Sequence, residues 1–334
     1  MFSSRARITG GAVVAAVTVV TAAACASGSS SSSSSSGAAG GATSPSASAS
    51  VSASASASNP LAGGGASGSV VVGSANFPEN ELLAEIYILA LQGKGIKVTP
   101  KLNIGAREVY YPQIQKGAIS IIPEYNGTLL SVEVDKTSTA KTTTAVDAAL
   151  AAKLPSTLEV LNPAPAQDSD SVTVTAATAA KYHLKTIADL GPHAKNMVLG
   201  APPEFKTRSD GIAGLKATYG LAFRQFDPLD ESGPITLAAL TDGKVQAADV
   251  FTTTPQIISD HLVSLADPKF NFAAQNVIPL VYKPAMNPTI IATLNAISAK
   301  LTTAALLRMD TAVITQHADY STVAAAFLKA EGLS

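Results

Sequence analysis

The chain predicts an α/β fold in two lobes, each a mainly parallel sheet flanked by helices. Three observations carry this: short apolar runs alternate with amphipathic stretches from Ser69 onward, about 265 residues follow that point, and two short breaks divide them. Residues 69–72 read as the first strand. Residues 79–91 read as a helix, because Leu82, Leu83, Ile86, Leu89 and Ala90 recur at helical spacing on one face. Pro78, Glu79 and Glu81 suit its first turn, and Gly93 with Gly95 its stop. A strand at 96–99, a helical stretch at 107–116 and a strand at 119–122 complete a βαβαβ run. Strands near 158–161, 172–174, 197–199, 247–251 and 277–281 continue the rhythm, with helical segments between them. The breaks at 162–168 and 279–284 are the expected crossings. They give a first lobe of 69–168 plus 282–334 and a second of 169–281, with a ligand held between lobes at the carboxyl ends of the strands.

The first 68 residues read differently. Arg5 and Arg7 precede an apolar stretch over 8–21, and Ala22, Ala23 and Ala24 supply the small residues a signal peptidase requires. Cys25, the only cysteine, follows at once, so residues 1–24 read as a signal peptide and Cys25 as a lipidated N-terminus. A secretory signal cut elsewhere, leaving a spare thiol, is the alternative, since Ala22 stands where Leu is commoner in such motifs. From residue 26 to about 67 the chain is almost entirely Ser, Ala, Gly and Thr, with nothing apolar enough to repay ordering. A coil of this length has a root-mean-square reach of about 35 Å. Gly63, Gly65 and Gly68 match a dinucleotide fingerprint, but a strand follows instead of preceding them, so the segment reads as linker.

Composition narrows the function. A net charge of -1 gives no basic footprint for nucleic acid or anionic lipid. A single cysteine permits no intramolecular disulfide, so stability rests on the apolar core, for which 46% hydrophobic content suffices. No stretch beyond the signal approaches the ~20 apolar residues of a spanning helix. His183, His193, His261 and His317 are scattered without metal-ligand spacing, and no Gly-x-Ser-x-Gly elbow accompanies them, so neither an enzyme nor a cofactor is expected. Glu79 and Glu81 lie two apart at a helix start and suit its dipole better than acid/base work. Asn126-Gly127-Thr128 matches a glycosylation sequon, which the bacterial style of the signal discounts.

A series of short words is more specific. Val72-Gly73-Ser74-Ala75-Asn76-Phe77-Pro78-Glu79, the Leu-Leu-Ala-Glu-Ile-Tyr of 82–87, Gly105-Ala106-Arg107-Glu108-Val109 and Pro123-Glu124-Tyr125-Asn126-Gly127-Thr128 follow one another. Then come Ala164-Pro165-Ala166-Gln167-Asp168, the run from Glu204 through Arg208 to Gly211, and Asp249-Val250-Phe251-Thr252-Thr253. In this order the chain resembles the glycine betaine/choline-type, quaternary-amine-uptake substrate-binding proteins of ABC importers across its body after residue 69. The resemblance implies a two-lobed periplasmic-binding-protein fold of type II that closes on its ligand. It further implies an extracytoplasmic, membrane-anchored monomer, with a small cationic or zwitterionic solute and ABC permease subunits as partners.

A quaternary ammonium donates no hydrogen bond, so aromatic faces must hold it, and any carboxylate on the same ligand needs Arg, Lys, hydroxyl or backbone N–H groups. The resemblance makes Tyr125 a cage wall and Thr128 and Arg208 carboxylate donors, while a strand-to-helix turn and a solvated ion pair are the structural readings of the same residues. Ser74, Asn76, Phe77, Glu204, Phe251 and Thr252 complete the expected ligand set, with Phe251 equally readable as a buried strand residue. Asp168 or Asp170 either faces a cation or caps a helix at the hinge. Tyr110 and Tyr111 read as packing residues. Two departures bear on the ligand: Ala75 stands where many relatives have Lys, and 168–171, 251–253 and 272–275 lack the tyrosines of a full cage. A different polar solute such as an amino acid, or an interaction lipoprotein without transport, therefore stays open from sequence.

Overall fold

The computed structural model describes residues 69–333; the expected signal peptide (1–24), the Cys25 lipid site and the linker up to residue 68 lie outside the described residues. In chain order the strands are β1 Ser69–Gly73, β2 Lys97–Lys101, β3 Ile121–Tyr125, β4 Leu158–Val160, β5 Val172–Thr175, β6 Val198–Ala201, β7 Gln225–Pro228, β8 Ala247–Asp249, β9 Leu262–Ser264 and β10 Val277–Tyr282. They make two five-stranded sheets, ordered β2-β1-β3-β10-β4 and β7-β6-β8-β5-β9. In each, one strand runs against the other four: β10 pairs antiparallel with β3 and β4, and β5 antiparallel with β8 and β9. The sheets are thus mainly parallel, and the reversed strand is the first that the chain lays down after crossing between lobes.

The first lobe forms where the sequence places it. Val70 and Val72 are buried along β1, and helix α1, Pro78–Gly93, follows with Pro78 preset at its first turn. Helix α1 buries more than one stripe: Tyr87, Ile88 and Leu91 join Leu82, Leu83, Ile86 and Ala90, because the sheet lies on one side and helix Tyr320–Ala330 on another. The chain stops at Lys94 and turns at Gly95, whose φ of 76° suits glycine. Asn287, Thr302 and Asp319 cap the three C-terminal helices Pro288–Lys300, Thr303–Asp310 and Tyr320–Ala330, each side chain accepting a backbone N–H of the first turn. One continuous apolar core joins α1, these helices and the sheet. In the second lobe two smaller cores cover the sheet, one around Val172, Leu199 and Phe205, the other around Leu237, Val245 and Val250.

The second crossing differs from expectation. Val277–Val281 pairs with β3, residue for residue from Tyr125 to Ile121, so β10 belongs to the first sheet and not to the second lobe. The chain crosses earlier, where Gln167 and Asn276 form an antiparallel bridge and Asp168 N donates to Gln275 O at 3.1 Å. Pro279 sits inside β10, where its carbonyl accepts from Leu161 N at 3.0 Å, so its nitrogen faces the β4 side and the ladder with β3 loses no donor. Two edge strands, β7 and β9, are further additions; β7 ends on Pro228 at the outer edge, where no ladder donor is lost.

Gly127 is fixed by close approach at the hinge. A Cβ there would lie 2.3 Å from the carbonyl oxygen of Ala274 and 3.1 Å from Ala273 Cβ. Gly127→Ala should therefore push the crossing strand away and cost about 1–3 kcal/mol, read as a lower urea midpoint. An unchanged midpoint would show that the hinge yields freely.

Candidate ligand-binding site

Contacts between the lobes close the cleft. Arg208 on the second lobe holds Glu108 on the first through Nε and Nη2, at 3.0 and 3.1 Å. Ser131 Oγ donates to Asp210 at 2.8 Å, and Ser209 Oγ to the Ser131 carbonyl at 2.8 Å. Deeper in, Thr253 Oγ1 donates to Glu79 at 2.7 Å, and the Phe77 and Phe251 rings meet edge to face with centroids 5.1 Å apart. Beneath these contacts lies a cavity of about 30 Å³, lined by Ala75, Phe77, Arg107, Tyr110, Tyr125, Thr128, Asp168, Asp170, Arg208, Glu231, Phe251 and Gln275. Phe77 and Glu231 also line a groove of about 340 Å³ at the cleft mouth.

Tyr125 ends β3, so its ring leaves the sheet at a strand carboxyl end, which is where an open α/β sheet has free space. Its hydroxyl donates to Glu79 at 2.6 Å, and its ring lies 6.0 Å from that of Phe77. Phe77 precedes α1 in extended conformation, and Phe251 follows β8. These three rings, with Tyr110, form the aromatic part of the wall.

The positive groups are held by carboxylates. Arg107 on helix α2, Arg107–Gln115, makes a bidentate pair with the fully buried Glu124, at 2.9 Å from both Nε and Nη2. Glu124 also accepts from Tyr110 Oη at 2.7 Å and Tyr125 N at 2.9 Å. Arg208 is engaged by Glu108, with Glu204 at 3.8 Å.

Three pairs of carboxyls surround the cleft. Asp310 lies beside Glu79; burial first, then the neighbouring Glu79 charge, pushes Asp310 well above the ordinary carboxylate range. Burial raises Glu79 as well, against hydrogen bonds from Asp310, Tyr125 and Thr253. Neither Asp310 oxygen receives a donor from the described residues, which a proton shared with Glu79 resolves. Asp249 and Asp170 form the second pair, with Asp249 driven well up by burial and then by Asp170. Glu231 and Glu204 form the third; burial, reinforced by Glu204, pushes Glu231 up to about 8. Asp168 is pushed well up by burial and then by Glu79, although Thr252 Oγ1 and Thr253 N donate to it at 3.1 and 3.0 Å. Among the described residues no group of three or more His, Cys, Asp or Glu is arranged to hold a metal ion.

Of the sequence-predicted set, Phe77, Tyr125, Thr128, Asp168, Arg208 and Phe251 come together on the cavity wall. Ser74 does not: it is buried, donates to the Ala75 carbonyl and accepts from Asn103 N at 2.8 Å. Asn76 is exposed, and with Glu204 it lines the mouth. Thr252 donates to Asp168, and the Thr128 hydroxyl oxygen accepts from Gln275 Nε2. Two assignments change, one of packing and one to the helix dipole. Tyr110 lines the cavity, and Glu79, read as a dipole partner, is buried beneath it. Arg107, Glu231 and Gln275 are additional lining residues. The sequence signal for the first was Glu124 amid the apolar residues of β3, since a charge there must find a buried partner.

Comparison with known proteins places this geometry. Residues 68–330 match the family described as the substrate-binding domain of the ABC-type glycine betaine transport system. The chain is similar to the glycine betaine-binding protein YehZ of Escherichia coli (strain K12), at 27% identity over 280 residues, 80% of this chain and 92% of that one. It is also similar, at 28% identity, to an ergothioneine transport permease/ergothioneine binding protein, EgtU, of Helicobacter pylori (strain G27), over 60% of this chain and 36% of that protein. A crystal structure of a glycine betaine/carnitine/choline ABC transporter protein shares the fold with a TM-score of 0.62 and 24% identity, covering 79% of this chain and 99% of that one. With nearly four-fifths of its length matched and the two-lobed architecture shared, the chain belongs to the family of substrate-binding domains of ABC-type glycine betaine transport systems.

Proposed function

We propose that the protein is an extracytoplasmic receptor that closes its two lobes on a quaternary amine, of which glycine betaine and choline are the simplest, and delivers it to an ABC permease. The carrying observation is the wall of rings from both lobes, Phe77, Tyr110 and Tyr125 against Phe251, beside the carboxyls of Asp168, Asp170 and Glu231. Aromatic faces attract a cation that cannot be hydrogen-bonded, and a cation seated beside these buried carboxyls favours their ionised form. Closure then supplies the signal to the permease, because the ring of Phe251 reaches the ring of Phe77 only when the lobes meet. Arg208 serves as a latch through Glu108, a role distinct from direct ligand contact. A lipid on Cys25 and the Ser/Ala/Gly linker would keep the monomeric receptor at the membrane while leaving it free to reorient. Family membership favours transport over catalysis.

Calorimetry of the purified body with glycine betaine, choline and carnitine tests the reading. At least one should bind, and Phe77→Ala should weaken it roughly 2- to 30-fold, the value of one ring. Silence with every quaternary amine would overturn it.

A further inference from the structure

We infer that Glu231 is the specificity-determining residue of this site, accepting a hydrogen bond from a hydroxyl or amine on the ligand, so that the receptor selects quaternary-ammonium alcohols over carboxylate-bearing betaines. The inference rests on the quaternary-amine reading and sharpens it. Both guanidiniums are engaged bidentately, Arg107 by Glu124 and Arg208 by Glu108. The Thr128 hydroxyl oxygen accepts from Gln275 Nε2 and keeps a single neutral O–H to offer, and Ala75 contributes no donor. A ligand carboxylate would thus enter a wall whose positive charge is already matched, and whose remaining ionisable groups are Asp168, Asp170 and Glu231. Glu79, Asp249, Asp310 and Glu204 stand behind these and supply no positive charge, and burial holds the first three toward their neutral form.

The acceptors on that wall are not equivalent. Asp168 receives donors from Thr252 and Thr253. Glu231 Oε2 is shut off from solvent, and apart from the neighbouring Glu204 carboxyl no group among the described residues is placed to donate to it. A buried acceptor without a donor is costly, and a ligand hydroxyl or N–H placed there recovers that cost. A carboxyl oxygen accepts in either protonation state, so the assignment does not depend on where the Glu204–Glu231 proton resides. Glu231 lines both the inner cavity and the mouth groove, as Phe77 does, so a cation seated on the rings leaves its substituent within the region Glu231 borders.

The test compares choline, propyltrimethylammonium (the same cation without the hydroxyl) and glycine betaine by calorimetry on wild type, Glu231→Met and Glu231→Gln. Wild type should bind choline about tenfold more tightly than propyltrimethylammonium, the effect of one hydrogen bond to a carboxyl, and more tightly than glycine betaine. Glu231→Met should lose the hydroxyl preference, while Glu231→Gln, which keeps an acceptor, should retain most of it. If neither variant folds, the wild-type comparison of the two cations still decides. Equal binding of those two cations, or tighter binding of glycine betaine, would overturn the assignment and leave the receptor reading intact. Silence with all three would remove both.

Discussion

Glu124→Gln should be the most damaging single substitution in the first lobe, lowering stability by about 3–5 kcal/mol, because it strands the buried Arg107 guanidinium without its counter-charge. In a body of this size that corresponds to a melting temperature lower by roughly 10 °C. The cost arises from the partner left behind, not from the pair itself. Removing both charges in Glu124→Gln/Arg107→Met should therefore recover a large part of the loss. Binding should weaken in the single variant too, since Glu124 positions Tyr110 and the backbone N–H of Tyr125, both at the cavity. Urea unfolding with a fitted slope reads the first effect and calorimetry the second. A single variant within about 1 kcal/mol of wild type would mean that water reaches the guanidinium and the pair is not buried in solution.

The protein should also lose stability as pH rises from about 4.5 to 8, and Asp310→Asn should flatten that loss. Asp310, Glu79, Asp249, Asp168 and Glu231 all titrate above their ordinary values in the folded protein, chiefly through burial, with Glu231 at about 8. Between the unfolded and the folded values the native state keeps protons that the unfolded chain has released, so raising pH favours the unfolded chain. The contribution is complete below the unfolded value and is lost on passing the folded one. Opposing carboxylates act at lower pH: Asp135 is held down to about 2 by hydrogen bonds from Lys153 and Thr137, and Asp189 and Asp319 are lowered by the backbone and hydroxyl donors they accept. Maximum stability should thus fall near pH 5. Asn at 310 donates permanently where Asp310 needs a proton to do so, and should raise the melting temperature at pH 8 relative to wild type. A melting temperature that climbs between pH 5 and 8 in the wild type would contradict the shared-proton arrangement.

The first lobe was legible because its elements carry strong local signals. The Val run of β1, the apolar face and Pro78 of α1, and the glycines after it each point to one structure, and each element formed within a few residues of its expected bounds. What periodicity could not convey was which sheet a strand joins. Val277–Tyr282 is buried along nearly its whole length, so its composition is the same whether it serves one lobe or the other. Its pairing with β3 was decided by Gln167 and Asn276 meeting at the crossing, a contact between residues far apart in the chain. Short edge strands such as β9, three residues long, fall below what alternation can register. The site divides in the same way. Phe77, Tyr125 and Phe251 belong to recognisable words and came together, whereas Glu231 lies in an Asp-Glu-Ser turn whose composition suggests only solvent. Glu79 misled for a physical reason: an acid in a first helical turn is usually there for the dipole, and only the docking of Thr253 and Tyr125 buries it.

Because Gln167 and Asn276 are bonded neighbours, the intervening segment leaves and re-enters the first lobe through one doorway. It carries its own sheet and its own apolar interior, so it has the anatomy of a cassette whose ends are already aligned for splicing. Grafting the corresponding segment of another two-lobed receptor at these two residues would exchange Arg208, Glu231 and Phe251 together while leaving Tyr125 and Phe77 in place. Half of the recognition chemistry can change in one recombination event, with the half that faces it preserved.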